Sequence, residues 1–263
     1  MSGTSVKVAL VQCEVSGEET PADRLARVSE VVRTGCTGAQ VVVLPELWLA
    51  GAFDMAQMQA TAQSRDGEFV TAMCSLAKEC GIWLHAGSFV ERDSEGHLYN
   101  TALVISPTGD VTASYRKQHL WGGDSGEAVL LARGRDVVTA QLPFGTAGIA
   151  TCYDLRFPEQ FRALVDVGAT SFIIPASWPV QRIEHWRVLL RARAIENQAW
   201  VLAVNSVGTH AGTTMGGCSA VIDPTGVVVC EASGDEEIVL FAEVAESAVT
   251  AWRSRHRWLA DRI

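Results

Sequence analysis

The chain has 263 residues, 48% hydrophobic and 19% charged, a composition that supplies a sizeable core and excludes a disordered or fibrous polymer. Its net charge of -9 argues against a polyanion-binding surface, so nucleic acid is not an expected partner. No apolar run approaches the roughly 18 residues that a membrane span needs, and the N-terminus has no charged segment leading into an apolar one, so a cytoplasmic protein is expected.

Apolar runs rich in β-branched residues alternate with amphipathic stretches along the chain. Residues 6–11 read as a strand, 22–35 as a helix, 41–44 as a strand, 67–80 as a helix and 82–89 as a strand. Residues 100–106 and 111–116 flank the turn signal Pro107-Thr108-Gly109-Asp110 and read as a hairpin. After a loop to about 135 come strands over 137–142 and 147–152, a helix from Pro158, a strand over 171–175, a helix near 184–198 and a strand over 200–205. Strands over 215–222, 227–231 and 237–244 close the pattern, with Asp223-Pro224-Thr225-Gly226 as the turn between the first two. No repeat or linker divides the chain, which reads as one α/β domain over 1–263. Strands apolar on both faces imply sheets covered by helices on one side and by another layer on the other. The tail, about 246–263, mixes basic and aromatic side chains from Trp252 to Leu259; docking on a partner subunit and docking on its own chain are both open.

Seven cysteines without a CxxC pair suit reduced thiols in a cytosol. Most read as small buried hydrophobes, but Cys152 ends the apolar run Gly148-Ile149-Ala150-Thr151 and precedes a helix that Pro158 can open. A nucleophile on such a strand-to-helix connection projects out of the sheet, with the backbone N–H of Tyr153 placed to hold an oxyanion. Two more strand ends carry ionisable residues: Glu46 follows Val41-Val42-Val43-Leu44-Pro45, and Lys117 follows Ser114-Tyr115-Arg116. A thiol is mostly protonated at neutral pH, so a nucleophilic cysteine needs a base or a nearby cation. Glu46 can take that proton, return it to a leaving amine and later activate water, while a protonated Lys117 holds the oxyanion. Taken singly, each charge also fits a solvated loop entrance.

The segments Leu44-Pro45-Glu46, Tyr115-Arg116-Lys117-Gln118-His119-Leu120 and the run from Cys152 to Glu159 closely resemble the nitrilase, or carbon–nitrogen hydrolase, superfamily. Pro175-Ala176-Ser177-Trp178-Pro179, His185-Trp186, the run from Arg191 to Gln198 and Gly216-Gly217-Cys218-Ser219 continue the match in family order over nearly the whole chain. The resemblance implies a four-layer αββα sandwich, a homodimer with an αββααββα stack, no metal or organic cofactor, and a catalytic triad of Glu46, Lys117 and Cys152. It also implies a second active-site glutamate, matched by Glu127, with Asp124 as the substitute. Ser177-Trp178-Pro179 with Arg182, His185 and Trp186 is more similar to the ω-amidase branch, whose substrates are monoamides of dicarboxylates such as α-ketoglutaramate. Trp178 would then line the acyl pocket, and Arg156 either accepts a substrate carboxylate or pairs with Asp154 or Glu159. The same triad leaves a deaminated-glutathione amidase, an N-carbamoyl amidase and a nitrilase open, and from another class a catalytically inactive binding subunit.

Gly123-Asp124-Ser125-Gly126 imitates a serine-protease motif but lies in α/β surroundings. The six histidines show no zinc-ligand spacing, and His119 and His185 read as structural groups near the site. Arg191 and Arg193 precede Glu196 on a helix and read as ion pairing on its face.

Overall fold

A computed structural model describes residues 5–262. The chain opens with β1 (Val6–Gln12), α1 (Pro21–Glu30), a π-turn over Val31–Gly35, β2 (Val41–Val43), α2 (Met55–Ala60), α3 (Glu68–Cys80) and β3 (Trp83–Arg92). Local chemistry sets these limits: the Thr20 side chain accepts from the Asp23 N–H ahead of Pro21, and α3 stops at Gly81, whose φ of 64° is left-handed. The hairpin β4 (Leu98–Ile105) and β5 (Val111–Arg116) follows, then α4 (Glu127–Leu130). The second half runs β6 (Thr139–Leu142), β7 (Gly145–Ile149), α5 (Pro158–Asp166), β8 (Ser171–Ala176), α6 (Ile183–Asn197) and β9 (Trp200–Asn205). It closes with β10 (Thr209–His210), β11 (Thr213–Thr214), β12 (Ala220–Ile222), β13 (Val228–Glu231), β14 (Ile238–Val244) and α7 (Glu246–Arg255).

Two six-stranded sheets result, ordered β14-β1-β2-β3-β4-β5 and β13-β12-β9-β8-β7-β6. β1, β2 and β3 pair in parallel, as do β7, β8 and β9, and antiparallel strands extend each parallel core. Strand periodicity decides the layering. In β1, Val8 and Leu10 enter an apolar layer that also holds Ile149, Ile173 and Leu202 of the other sheet, whereas Ala9 and Val11 face Val28 of α1 and Met73 of α3. The second sheet repeats the scheme, with Phe172 and Ile174 against Phe161 of α5 and Leu190 of α6. The layers are therefore helix, sheet, sheet, helix, the αββα sandwich that the family resemblance implies.

Some local expectations change. Strand 215–222 is cut to Ala220–Ile222, because Gly217 and Cys218 take φ of 51° and 55°, which no strand continues through. The loop to about 135 contains the single-turn α4, and the strand predicted over 147–152 ends at Ile149, three residues short of its predicted end. The tail forms α7 and docks on its own chain: Arg253 donates to the carbonyls of Ala169, Asn197 and Gln198, and the Gln198 amide donates to the His256 carbonyl. Among the described residues, no helix is long and apolar enough to cross a membrane.

Candidate active site

The first functional side chain hangs from the turn after β2. Gly87 has φ of +67°, and a Cβ there would lie 1.9 Å from the Pro45 carbonyl oxygen, so only glycine lets β3 press against this turn. Ser88 Oγ accepts from the Leu47 N–H at 3.0 Å, and the Ser177 hydroxyl donates to the Glu46 carbonyl at 2.9 Å. Glu46 is thereby aimed inward with both carboxylate oxygens occupied. Oε1 accepts from Lys117 Nζ at 2.7 Å and Asn100 Nδ2 at 2.8 Å, and Oε2 accepts from the Ser177 N–H at 2.9 Å.

Lys117 follows β5, its own N–H donating to the Asn100 carbonyl at 2.8 Å. Its ammonium reaches Glu127 Oε1 at 2.5 Å as well as Glu46, and Glu127 also accepts from the Trp121 N–H at 2.9 Å. Glu46, Lys117 and Glu127 are 1%, 2% and 5% exposed, a depth at which charges persist only when paired and hydrogen-bonded. Asp124 is exposed and outside this cluster, so Glu127 and not Asp124 is the second glutamate beside the lysine.

Cys152 opens a 3-10 turn over Cys152–Arg156 with φ of 47°, a left-handed conformation that a cysteine adopts only when its surroundings impose it. Those surroundings are polar and specific. Asp154 accepts from the Thr151 N–H at 2.8 Å, the Tyr115 hydroxyl at 2.6 Å and the His119 N–H at 3.0 Å. Arg193 of α6 donates twice to the Leu155 carbonyl, at 3.1 and 2.7 Å, while pairing with Glu196 at 2.8 Å. The helix-face arginine expected from sequence thus also fixes the cysteine turn.

Electrostatics follow from burial and charge. Burial alone would lower the Lys117 pKa, but Glu127 and Glu46 outweigh it and hold the ammonium well above its ordinary value. Burial raises the Glu127 carboxyl, the Glu46 charge adds to this, and Lys117 opposes it. Burial likewise pushes the Cys152 thiol well up, reinforced by the charge of Glu46 and opposed by Lys117. The cluster therefore rests as an ammonium beside a protonated thiol.

These groups line one cleft of about 440 Å³ together with Phe53, Trp121, Tyr153, Trp178 and two arginines. Trp178 does two things: it packs against Trp186 with centroids 5.5 Å apart, and it walls the cleft. Tyr153 sits edge-on to Phe157 in the first turn after Cys152, where N–H groups have no acceptor within the helix. His119 bonds Asp154 at 2.8 Å and stacks on Phe157 at 3.7 Å, a structural role. One expectation fails: Arg156 pairs with neither Asp154 nor Glu159, because Tyr115, His119 and the Thr151 N–H already occupy Asp154. Instead its guanidinium lies 4.7 Å from the Trp178 ring centroid. Asn100 escaped the sequence reading, although an asparagine inside a strand is itself a signal. Among the described residues, no group of three or more His, Cys, Asp or Glu is arranged to hold a metal ion.

Residues 7–254 match the family model for carbon-nitrogen hydrolase. A 2-oxoglutaramate amidase of Paenarthrobacter nicotinovorans is 38% identical over 97% of this chain and 88% of its own. A deaminated glutathione amidase of Rattus norvegicus is 35% identical over 88% of this chain and 76% of its own. The crystal structure of Nit3 from Saccharomyces cerevisiae, of the nitrilase superfamily, superposes with a TM-score of 0.88 at 27% identity, over 96% of this chain and 94% of that one. The chain is a hydrolase acting on carbon–nitrogen bonds and belongs to the carbon–nitrogen hydrolase family.

Proposed function

We propose that this enzyme is an ω-amidase that hydrolyses a dicarboxylate monoamide such as 2-oxoglutaramate to the dicarboxylic acid and ammonia. The observation that carries the mechanism is the contact of Lys117 Nζ with two buried carboxylates, 2.7 Å to Glu46 and 2.5 Å to Glu127, on the wall of the cleft that Cys152 enters. Glu46 takes the thiol proton as Cys152 sulfur bonds to the amide carbon. The oxyanion is held by the Lys117 ammonium and backbone N–H groups near Tyr153. Glu46 returns the proton to nitrogen, the C–N bond breaks, ammonia leaves and a thioester remains. Water then gives a proton to Glu46 as its oxygen bonds to the acyl carbon. Collapse expels the sulfur, which recovers that proton. Glu127 keeps Lys117 charged and placed throughout, and Trp178 shapes the acyl side of the cleft.

The reading places the enzyme in a reducing cytoplasm, where its seven free cysteines remain thiols. It also makes the molecule a homodimer. Val188 and Ile195 of α6 are 62% and 44% exposed on the outer helical layer, and covering that layer against a second copy extends the sandwich to αββααββα.

Ammonia release from 2-oxoglutaramate, succinamate, a deaminated-glutathione mimic, an N-carbamoyl amine and an aliphatic nitrile tests the proposal with wild type and Cys152→Ala. Preference for the first two, lost in the variant, is the expected result. Preference for another compound refutes the substrate, and activity surviving in Cys152→Ala refutes the mechanism.

A further inference from the structure

A second cavity, of about 290 Å³, lies behind one wall of the catalytic cleft. Ala52 and Phe53 line the cleft while Ala50 and Asp54 of the same loop line the cavity, so one short segment separates the two. The hairpin β10–β11 sets His210 against that segment. Ala211 and Gly212 turn the hairpin with φ of 47° and 73°, and Gly51, with φ of +84°, lacks the Cβ that would lie 2.9 Å from the imidazole. His210 is 5% exposed. Its Nδ1 lies 3.2 Å from the Val15 carbonyl, which can only accept, so Nδ1 carries the proton. Burial lowers the imidazole pKa and keeps the ring neutral at pH 7, which makes Nε2 a bare acceptor. That nitrogen is buried and has no partner among the described residues.

The charged groups of the cavity decide the sign of an occupant. Arg24, 3% exposed, uses all five of its N–H groups, one on the Glu19 carboxylate at 3.2 Å and four on the carbonyls of Ser16, Glu19, Trp48 and Leu49. It has no donor left for an anion. Glu19 is taken by Arg24 and Arg27. Asp54 accepts from the Gln57 N–H at 2.9 Å through one oxygen and forms no ion pair among the described residues. A bare buried nitrogen and an unpaired carboxylate remain, and together they call for an N–H donor that carries positive charge.

We infer that this cavity is a binding site for a small primary amine in its ammonium form, held by His210 Nε2 and the Asp54 carboxylate. Ammonium itself, which hydrolysis of a primary amide releases, is the smallest member of the class. The Phe53 ring is 6.1 Å from the imidazole, so an occupant bears on the segment that also walls the cleft.

Methylammonium chloride is the probe. Nitrogen-15 NMR of protein labelled at histidine follows Nε2 directly, and the signal missing from His210→Phe identifies it. The expected result is a saturable movement of that signal toward its hydrogen-bonded position, with a Kd on the order of 10 mM for so small a ligand. Tetramethylammonium and sodium chlorides, which bring charge without N–H donors, should leave it in place. Asp54→Asn keeps an oxygen for the Gln57 N–H but removes the charge, and should weaken methylammonium about 10-fold. A signal that methylammonium does not move, including one already at the hydrogen-bonded position, overturns the proposal and assigns the cavity to water. An equal shift in all three salts overturns it too, as does unchanged affinity in Asp54→Asn. The wild-type titration decides by itself if that variant fails to fold. None of these readouts uses turnover, so they stand or fall apart from the amidase reading.

Discussion

The cluster around Lys117 shows how three buried charges become usable chemistry. Each carboxylate raises the lysine, and each is satisfied by donors from other elements, so in the proposed mechanism Lys117 serves at the oxyanion as a standing ammonium and the proton that moves is the thiol's. Glu127→Gln removes one of the two carboxylates that raise Lys117. Because Lys117 acts only as a cation, its lowered pKa should bring the alkaline limb of the kcat/KM profile to lower pH, and loss of placement should reduce kcat/KM on the order of 100-fold. Profiles of the two proteins check this, and an unmoved alkaline limb contradicts it. Asn100 is the positioning residue of the same cluster, its amide donating to Glu46 at 2.8 Å and to Glu127 at 3.4 Å. Asn100→Leu leaves both acids short of a donor, so it should destabilise by roughly 1–3 kcal/mol in denaturant titrations and lower kcat more than it raises KM. That Glu46, Lys117 and Cys152 would share one cleft was legible from the motif resemblance and not from any one of them, since each charge taken singly also fits a solvated loop entrance. The partner of Arg156 was not, since only the folded chain shows that Asp154 is already taken.

At the scale of elements, the parallel strands were legible because β-branched runs between amphipathic helices leave few alternatives, and β9 falls on the residues expected for it. α4 was hidden because its four residues show no periodicity. α7 was hidden for another reason: it buries only Val249 and is held by arginine and tryptophan hydrogen bonds instead of an apolar stripe. β3 carries a cost that the pattern did not reveal. His85 pairs with Val43 and Val104, both facing the layer between the sheets, and neither of its ring nitrogens has a partner among the described residues. Burial lowers its pKa to about 3. An unfolded histidine protonates near pH 6.5, so the unfolded state binds more protons below that pH, and stability is lost as pH falls from 6.5 toward about 3. His85→Leu should flatten this loss, read as a smaller difference between denaturation midpoints at pH 7 and pH 4; an unchanged difference assigns the pH dependence elsewhere.

For the whole molecule, two sheets joined face to face bring together turns that are far apart in sequence. The carboxyl ends of β2, β5, β7 and β8 deliver Glu46, Lys117, Cys152 and Trp178 to one cleft, the position at which open α/β sheets place ligands. The layered architecture was legible from two-faced apolar strands, but the cleft's aromatic wall was not, because Phe53 and Trp121 come from loops without periodic pattern. The exposed Val188 and Ile195 predict a dimer by analytical ultracentrifugation that Val188→Glu with Ile195→Glu converts to monomer; a wild-type monomer contradicts that interface. The account as a whole stands on acyl transfer through one thiol among seven free cysteines. Its most direct test is peptide mass spectrometry of protein mixed with succinamate and quenched in acid. A succinyl thioester on the peptide containing Cys152, absent from Cys152→Ala, is the predicted result; turnover with the acyl group on another cysteine, or with no acyl-enzyme and full activity in Cys152→Ala, would contradict it.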